Sequence, residues 1–171
     1  MLFRSPHDAH ATVTDIGSAY AVFGVMGPKS RDLLSQVRDA DLSTAAFPFS
    51  TMRKINIGYA SVLAVRMTYV GELGWELYVP SEFALGVYQE ICRIGADFGL
   101  RDGGYYAIDS LRIEKGFRAW GHELTPDTTP LQAGLSFAVD FDKTVSFIGR
   151  EALLEARERP LVKDRKSKRL N

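Results

Sequence analysis

Residues 68–80 read TYVGELGWELYVP, an aromatic and aliphatic run that sets a carboxylate, Glu76, between Trp75 and Leu77. Side chains alternate along a strand, so Glu76 shares a face with Tyr78 while Trp75, Leu77 and Val79 share the other. Gly71 and Gly74 bracket Glu72 and Leu73, which reads as a four-residue hairpin connection with glycine where the backbone turns left-handed. A symmetric loop over 71–74 pairs Val70 with Trp75 and Tyr69 with Glu76. Directly opposed residues project to the same face with Cβ atoms about 4.5–5.5 Å apart. Met67, Tyr69, Glu76 and Tyr78 then line one face, and Thr68, Val70, Trp75, Leu77 and Val79 form a core-like other face. A carboxylate beside a tyrosine suits a flat heterocycle with an amino-amide edge. Its two oxygens accept two parallel N–H bonds, charge strengthens both, and the ring packs on the ligand or donates through its hydroxyl. An ordinary solvated strand face has the same pattern, and a slip of one residue would break the pair. Spacing alone leaves both readings open.

Other reactive side chains offer less. His7 and His10 in HDAH flank Asp8 but have no evident third ligand, so a loose terminus explains them better than a metal. His122 and Glu123 fall in a turn-rich loop, where polar residues carry function or cap a turn. Asp109 and Arg112 are three apart on an expected helix and read as an ion pair. Cys92 lies near the apolar face of its helix and reads as packing. The chain has no G-x-x-x-x-G-K-[ST], no G-x-G-x-x-G and no G-x-S-x-G.

The elements that must position these residues follow from periodicity. The apolar run 18–27 reads as a buried strand, and 27–37 as a helix with Pro28 at its first turn. MRKINI and the alternating run 60–70 read as strands separated by Gly58 and Tyr59. In 81–100, Ala84, Val87, Tyr88, Ile91, Ile94, Gly95 and Phe98 trace one helical face, with Ser81 able to cap it. Residues 103–116 read as a helix with Tyr105, Ile108 and Leu111 on one side and Gly116 at its end. LSFAVDF reads as a strand, and GREALLEARER as a last helix stopped by Pro160. Adjacent strands joined by tight turns indicate α+β: a mixed, largely antiparallel sheet with helices packed on it. The expected divisions are a loose segment 1–20, a folded part 21–158 and a basic, disordered tail 159–171.

Bulk properties narrow the function classes. The 171 residues are 46% hydrophobic and 25% charged, enough for a real core. Lys plus Arg and Asp plus Glu each number 21, a balance that asks for neither nucleic acid nor an anionic membrane. One cysteine excludes an internal disulfide and points to a reducing setting, and no apolar run nears the roughly 20 residues of a membrane span. A start without a signal-peptide pattern makes a cytoplasmic location the expectation.

Four stretches in order, FGVMGPKSRDLL, RMTYVGELGWELYVP, AIDSLRIEKGFRAWGHELTPDTTPLQAGLSFAV and FIGREALL, resemble the folate-binding aminomethyltransferase family. This is the glycine-cleavage T-protein group, and the likeness is strongest to the T-protein-like half of sarcosine and dimethylglycine dehydrogenases. The resemblance runs from about Ala21 to about Ala156. It implies the central part of that fold, with tetrahydrofolate as cofactor. It also implies that Glu76 grips the pterin ring and Tyr69 lines the same pocket. The implied activity is one-carbon transfer that forms 5,10-methylenetetrahydrofolate, with a flavin domain or a lipoyl carrier delivering the carbon unit.

The departures set further expectations. The family's catalytic aspartate lies in a segment that would precede Met1, and its C-terminal β-rich domain would follow the tail, so the chain is expected to be a fragment without a catalytic residue of its own. Self-association through uncovered apolar surface is expected with it. Ile108 stands where the glycine-cleavage enzyme has an arginine, which favours the dehydrogenase branch. Relatives that assist iron–sulfur cluster maturation carry a cysteine where this chain has Ser146, which argues against that non-catalytic role. A folate-dependent demethylase shares the fold and stays open as an alternative.

Overall fold

The structure is a computed structural model and describes residues 10, 12–37 and 40–159. His7, Asp8, Pro160 and the basic tail lie outside the described residues. The chain divides into two compact units, Met1–Ile108 and Asp109–Asn171.

The first unit is built on a four-stranded antiparallel sheet in the order β1-β4-β3-β2. Its strands are β1 (Tyr20–Met26), β2 (Met52–Ile57), β3 (Ala60–Val65) and β4 (Gly74–Pro80). Helix α1 (Ser30–Gln36) follows β1, and α2 (Ala84–Gly95) follows β4. The α+β expectation holds. Alternation decides which face is covered. Ala60, Val62 and Ala64 of β3 and Trp75, Leu77 and Val79 of β4 are buried, together with Leu33, Leu34, Val87 and Ile91 from the two helices. Phe47, from the stretch between α1 and β2, meets the Trp75 ring edge-on at 6.3 Å. Arg31 and Arg66 stand over the same indole, 5.9 and 5.8 Å from its centroid. Each also holds that stretch by a backbone carbonyl, Arg31 through Leu42 and Arg66 through Phe47. The other sheet face carries Val22, Gly24, Met52, Glu76 and Tyr78, of which Val22 and Met52 are exposed.

Two local expectations are corrected here. Strand β3 ends at Val65, so the link to β4 is the eight-residue run 66–73 rather than a four-residue turn. Arg66 stays with the β2 side, its amide donating to Thr51 O and its carbonyl accepting from Ser50 N, both at 2.9 Å. Thr68 then bonds the Val70 amide through its own hydroxyl, a local alternative to the ladder. Ser81 does not cap α2. It opens a 3-10 turn, Ser81–Phe83, and its hydroxyl donates to Ser18 O. Of the face read from the sequence, Val87, Ile91 and Gly95 are buried, whereas Tyr88 is exposed. Past the helix, Gly99 at φ +73° lets the Leu100 amide reach Gly95 O at 2.9 Å.

Helix α3 (Tyr105–Lys115) runs across the division into the second unit and ends at Gly116, φ +79°. Its tyrosines 105 and 106 are exposed, and its one buried residue is Arg112. A series of turns follows, with Trp120 exposed and Ala133 buried, before α4 (Arg150–Arg157). The strand expected over 135–141 is a short 3-10 turn, Ser136–Ala138. Its backbone is absorbed locally: Leu135 N donates to Pro130 O, Ala138 N to Leu135 O and Val139 N to Ser136 O. Apolar composition there lacked a neighbouring strand to pair with among the described residues. A cleft of about 390 Å³ opens beside this turn, lined by Pro130, Val139, Asp140, Lys143, Phe147 and Leu153 among others.

Candidate functional site

Glu76 sits on β4, an inner strand, with its side chain on the outer sheet face. Its ladder partners are Gly24 on β1 and Val65 on β3. The expected cross-strand pairing with Tyr69 is therefore wrong, because Tyr69 lies in the 66–73 link, partly exposed and past the end of β3. That link is tied to β1 instead. Thr68 Oγ1 donates to Met26 Sδ at 3.7 Å, and the Gly27 amide donates to Leu73 O at 2.7 Å. The tyrosine that touches the carboxylate is Tyr78, whose hydroxyl donates to Glu76 Oε2 at 3.0 Å. That hydrogen bond, burial and the nearby negative charge all push the Tyr78 phenol above its ordinary range. The signal for this pair was in the sequence, since residues two apart on a strand share a face.

The neighbourhood of Glu76 suits a flat ligand. Gly24 puts no side chain beside the carboxylate, and a Cβ built there would come 3.2 Å from Met26 Cε. Among the described residues, the one side-chain hydrogen bond to the carboxylate is that from Tyr78 to Oε2, which leaves acceptor sites on both oxygens. A carboxylate is acceptor-only, which fits an edge of N–H donors.

In the second unit, Arg112 and Glu123 form a different kind of cluster. Arg112 is 3% exposed and donates to Asp109 at 2.6 Å, Glu123 at 2.8 Å and the Phe117 carbonyl at 3.0 Å. Glu123 Oε2 also accepts the Ala119 amide at 3.0 Å. Burial raises the Glu123 carboxyl, but that amide and the guanidinium outweigh it, so its pKa lies below the usual range. The Asp109–Arg112 pair was read correctly, whereas the eleven-residue step to Glu123 left no periodic trace. This is a structural clamp between the helix end and the next turn. Cys92 is a free thiol one helical turn from Tyr88 on α2. The Tyr88 hydroxyl donates to both Asp102 oxygens at 3.1 Å, and the neighbouring Cys92 side chain together with that carboxylate pushes the phenol up to about 12. No group of three or more His, Cys, Asp or Glu among the described residues is placed to hold a metal ion.

The sheet and helices make an α+β fold, with the Glu76 carboxylate on the sheet face opposite the core. The chain belongs to the GCVT N-terminal domain family, which matches residues 2–143. It is 48% identical over 143 residues to the mitochondrial sarcosine dehydrogenase of Mus musculus, covering 84% of this chain and 16% of that protein. The mitochondrial dimethylglycine dehydrogenase of the same species is 42% identical over 151 residues, 88% of this chain and 17% of that one. An aminomethyltransferase of Caldanaerobacter subterraneus is 40% identical over 149 residues, 87% of this chain and 39% of its own length. The chain thus spans about a sixth of the dehydrogenases it resembles. The family is the one to which the four sequence motifs pointed.

Proposed function

We propose that this chain supplies the pterin-gripping part of a tetrahydrofolate-dependent one-carbon transfer protein of the sarcosine and dimethylglycine dehydrogenase type. The observation that carries the reading is Glu76 on the outer face of an inner strand, with Gly24 clearing the space beside it. In this reading the Glu76 carboxylate accepts two N–H bonds from the amino-amide edge of the ring and fixes its orientation. Tyr69, carried by the 66–73 link, lines the same pocket. When bound, tetrahydrofolate supplies the nitrogen that takes up the carbon unit. The chain's own contribution is to hold and orient the ring, which by itself is a large share of such a reaction's barrier. For the whole protein the proposed product is 5,10-methylenetetrahydrofolate, with a flavin domain or lipoyl carrier as the source of the carbon unit. A reducing compartment, such as the cytoplasm, is the proposed setting.

The test is a titration of the chain with 5-formyltetrahydrofolate, repeated with Glu76→Ala. Loss of a charge-assisted contact is expected to weaken binding by about 1.5–3 kcal/mol, roughly ten- to 150-fold. Equal affinity of the two proteins would remove Glu76 from the site.

A further inference from the structure

We infer that Tyr78 is a positioning residue for Glu76, its hydroxyl holding the carboxylate in the orientation that meets a ligand on the outer sheet face; this rests on the folate reading above. The two residues project from one strand to one face, and Tyr78 Oη donates to Glu76 Oε2 at 3.0 Å. A glutamate has three rotatable torsions before its carboxylate. An unheld one loses that freedom when a ligand binds, whereas a held one has already lost it on folding. The phenol is the only side-chain donor that reaches Glu76 among the described residues, because the flanking ladder positions are Gly24 and Val65. It takes one of about four lone-pair sites on the carboxylate and leaves the rest for the ligand.

The ladder neighbours of Tyr78 on the same face are Val22 on β1 and Leu63 on β3, apolar side chains that flank the phenol on both sides. A tyrosine phenol is protonated at neutral pH in any case, so the hydroxyl is a donor there, and the contact with Glu76 raises its pKa further. Donor and acceptor therefore hold each other, and the remaining lone-pair sites of the carboxylate stay available to a ligand.

Two measurements on the full chain test this. NMR of tyrosine labelled at the ring carbon follows the Tyr78 phenol, assigned by its disappearance in Tyr78→Phe. Glu76→Gln is expected to bring its titration down towards the ordinary tyrosine range, and an unchanged titration overturns the contact and the inference. Calorimetry with 5-formyltetrahydrofolate then compares wild type, Tyr78→Phe, Glu76→Gln and the double variant. Tyr78→Phe is expected to weaken binding about two- to tenfold alone and to add nothing once Glu76→Gln is present. Equal losses in both backgrounds would mean that Tyr78 acts on the ligand by itself, which overturns a positioning role. Wild-type affinity in Tyr78→Phe overturns the inference while the folate reading stands. Failure of the folded wild type to bind removes the folate reading and this role with it.

Discussion

Arg112 Nη1 lies 2.8 Å from Glu123 Oε2, and the same oxygen takes the Ala119 amide, so one carboxylate closes the turn that follows α3. Removing it strands a guanidinium that is 3% exposed. Glu123→Ala is expected to lower local stability by about 1.5–3 kcal/mol, with Asp109 retaining part of the charge pairing. Hydrogen exchange at the Ala119 and Phe117 amides reads this directly, and unchanged protection would rule out the clamp.

The same carboxylate makes the turn sensitive to acid. Its folded pKa is depressed, so its contribution is fully present above the unfolded glutamate value and fades as pH falls through the lower folded value. Exchange protection of the Ala119 amide is expected to drop across that acidic window in the wild type. Glu123→Gln should flatten the dependence, and a wild type with no such drop would contradict the pairing.

Two glycines of α2 are predicted to respond with opposite signs. Gly86 meets nothing within 4 Å of a built Cβ, so Gly86→Ala is expected to stabilise by about 0.5–1 kcal/mol through helix propensity alone. At Gly95 a Cβ would overlap the Leu100 side chain, including its Cβ at 2.7 Å, an atom close to the backbone. Overpacking of about 1–3 kcal/mol then exceeds the propensity gain, and Gly95→Ala is expected to destabilise. Urea denaturation of the two variants decides both, and a stabilised Gly95→Ala would mean that Leu100 moves freely.

Gly24→Val separates folding from ligand access. A branched side chain suits a strand, and its nearest obstacle is the terminal methyl of Met26, the far end of an unbranched side chain, so the variant is expected to fold with stability within about 0.5 kcal/mol of wild type. Its side chain would stand beside Glu76, and binding of 5-formyltetrahydrofolate is expected to fall at least about tenfold on steric grounds. Undiminished binding would place the ligand elsewhere.

Tyr88 is expected to ionise at about 12, held up first by the Cys92 thiol and then by Asp102, whose two oxygens lie 3.1 Å from its hydroxyl. Asp102→Asn and Cys92→Ala should each lower that titration in an ultraviolet pH scan. A scan unaltered by either substitution would contradict the cluster.

Strand and helix periods were legible wherever one face is buried. Val62 and Ala64, or Val87 and Ile91, carry their pattern because the core demands it at every second position or every turn. The alternation of Trp75, Leu77 and Val79 against Glu76 and Tyr78 was legible for the same reason. What could not be read was where a strand stops. Met67 to Val70 have strand-like side chains, yet the Arg66 backbone is claimed by Ser50 and Thr51, and Thr68 bonds locally. Those partners are distant in sequence or compete at short range, and neither leaves a period. The 135–141 run failed likewise, since a strand needs a neighbour that composition does not supply. Tyr69 was thus placed opposite Glu76 by a turn that the chain does not make, while Tyr78, only two residues away, holds the acid.

The chain has two tryptophans, and they fall in different units and opposite surroundings. Trp75 is fully buried between two guanidiniums and the edge of Phe47, whereas Trp120 is 70% exposed. Each unit therefore carries its own optical reporter. Emission from a sheltered indole should shift to longer wavelength and meet quenchers only when the sheet opens, while the exposed one is quenched from the start. A single intrinsic-fluorescence melt, read with and without iodide, would follow the sheet independently of its companion.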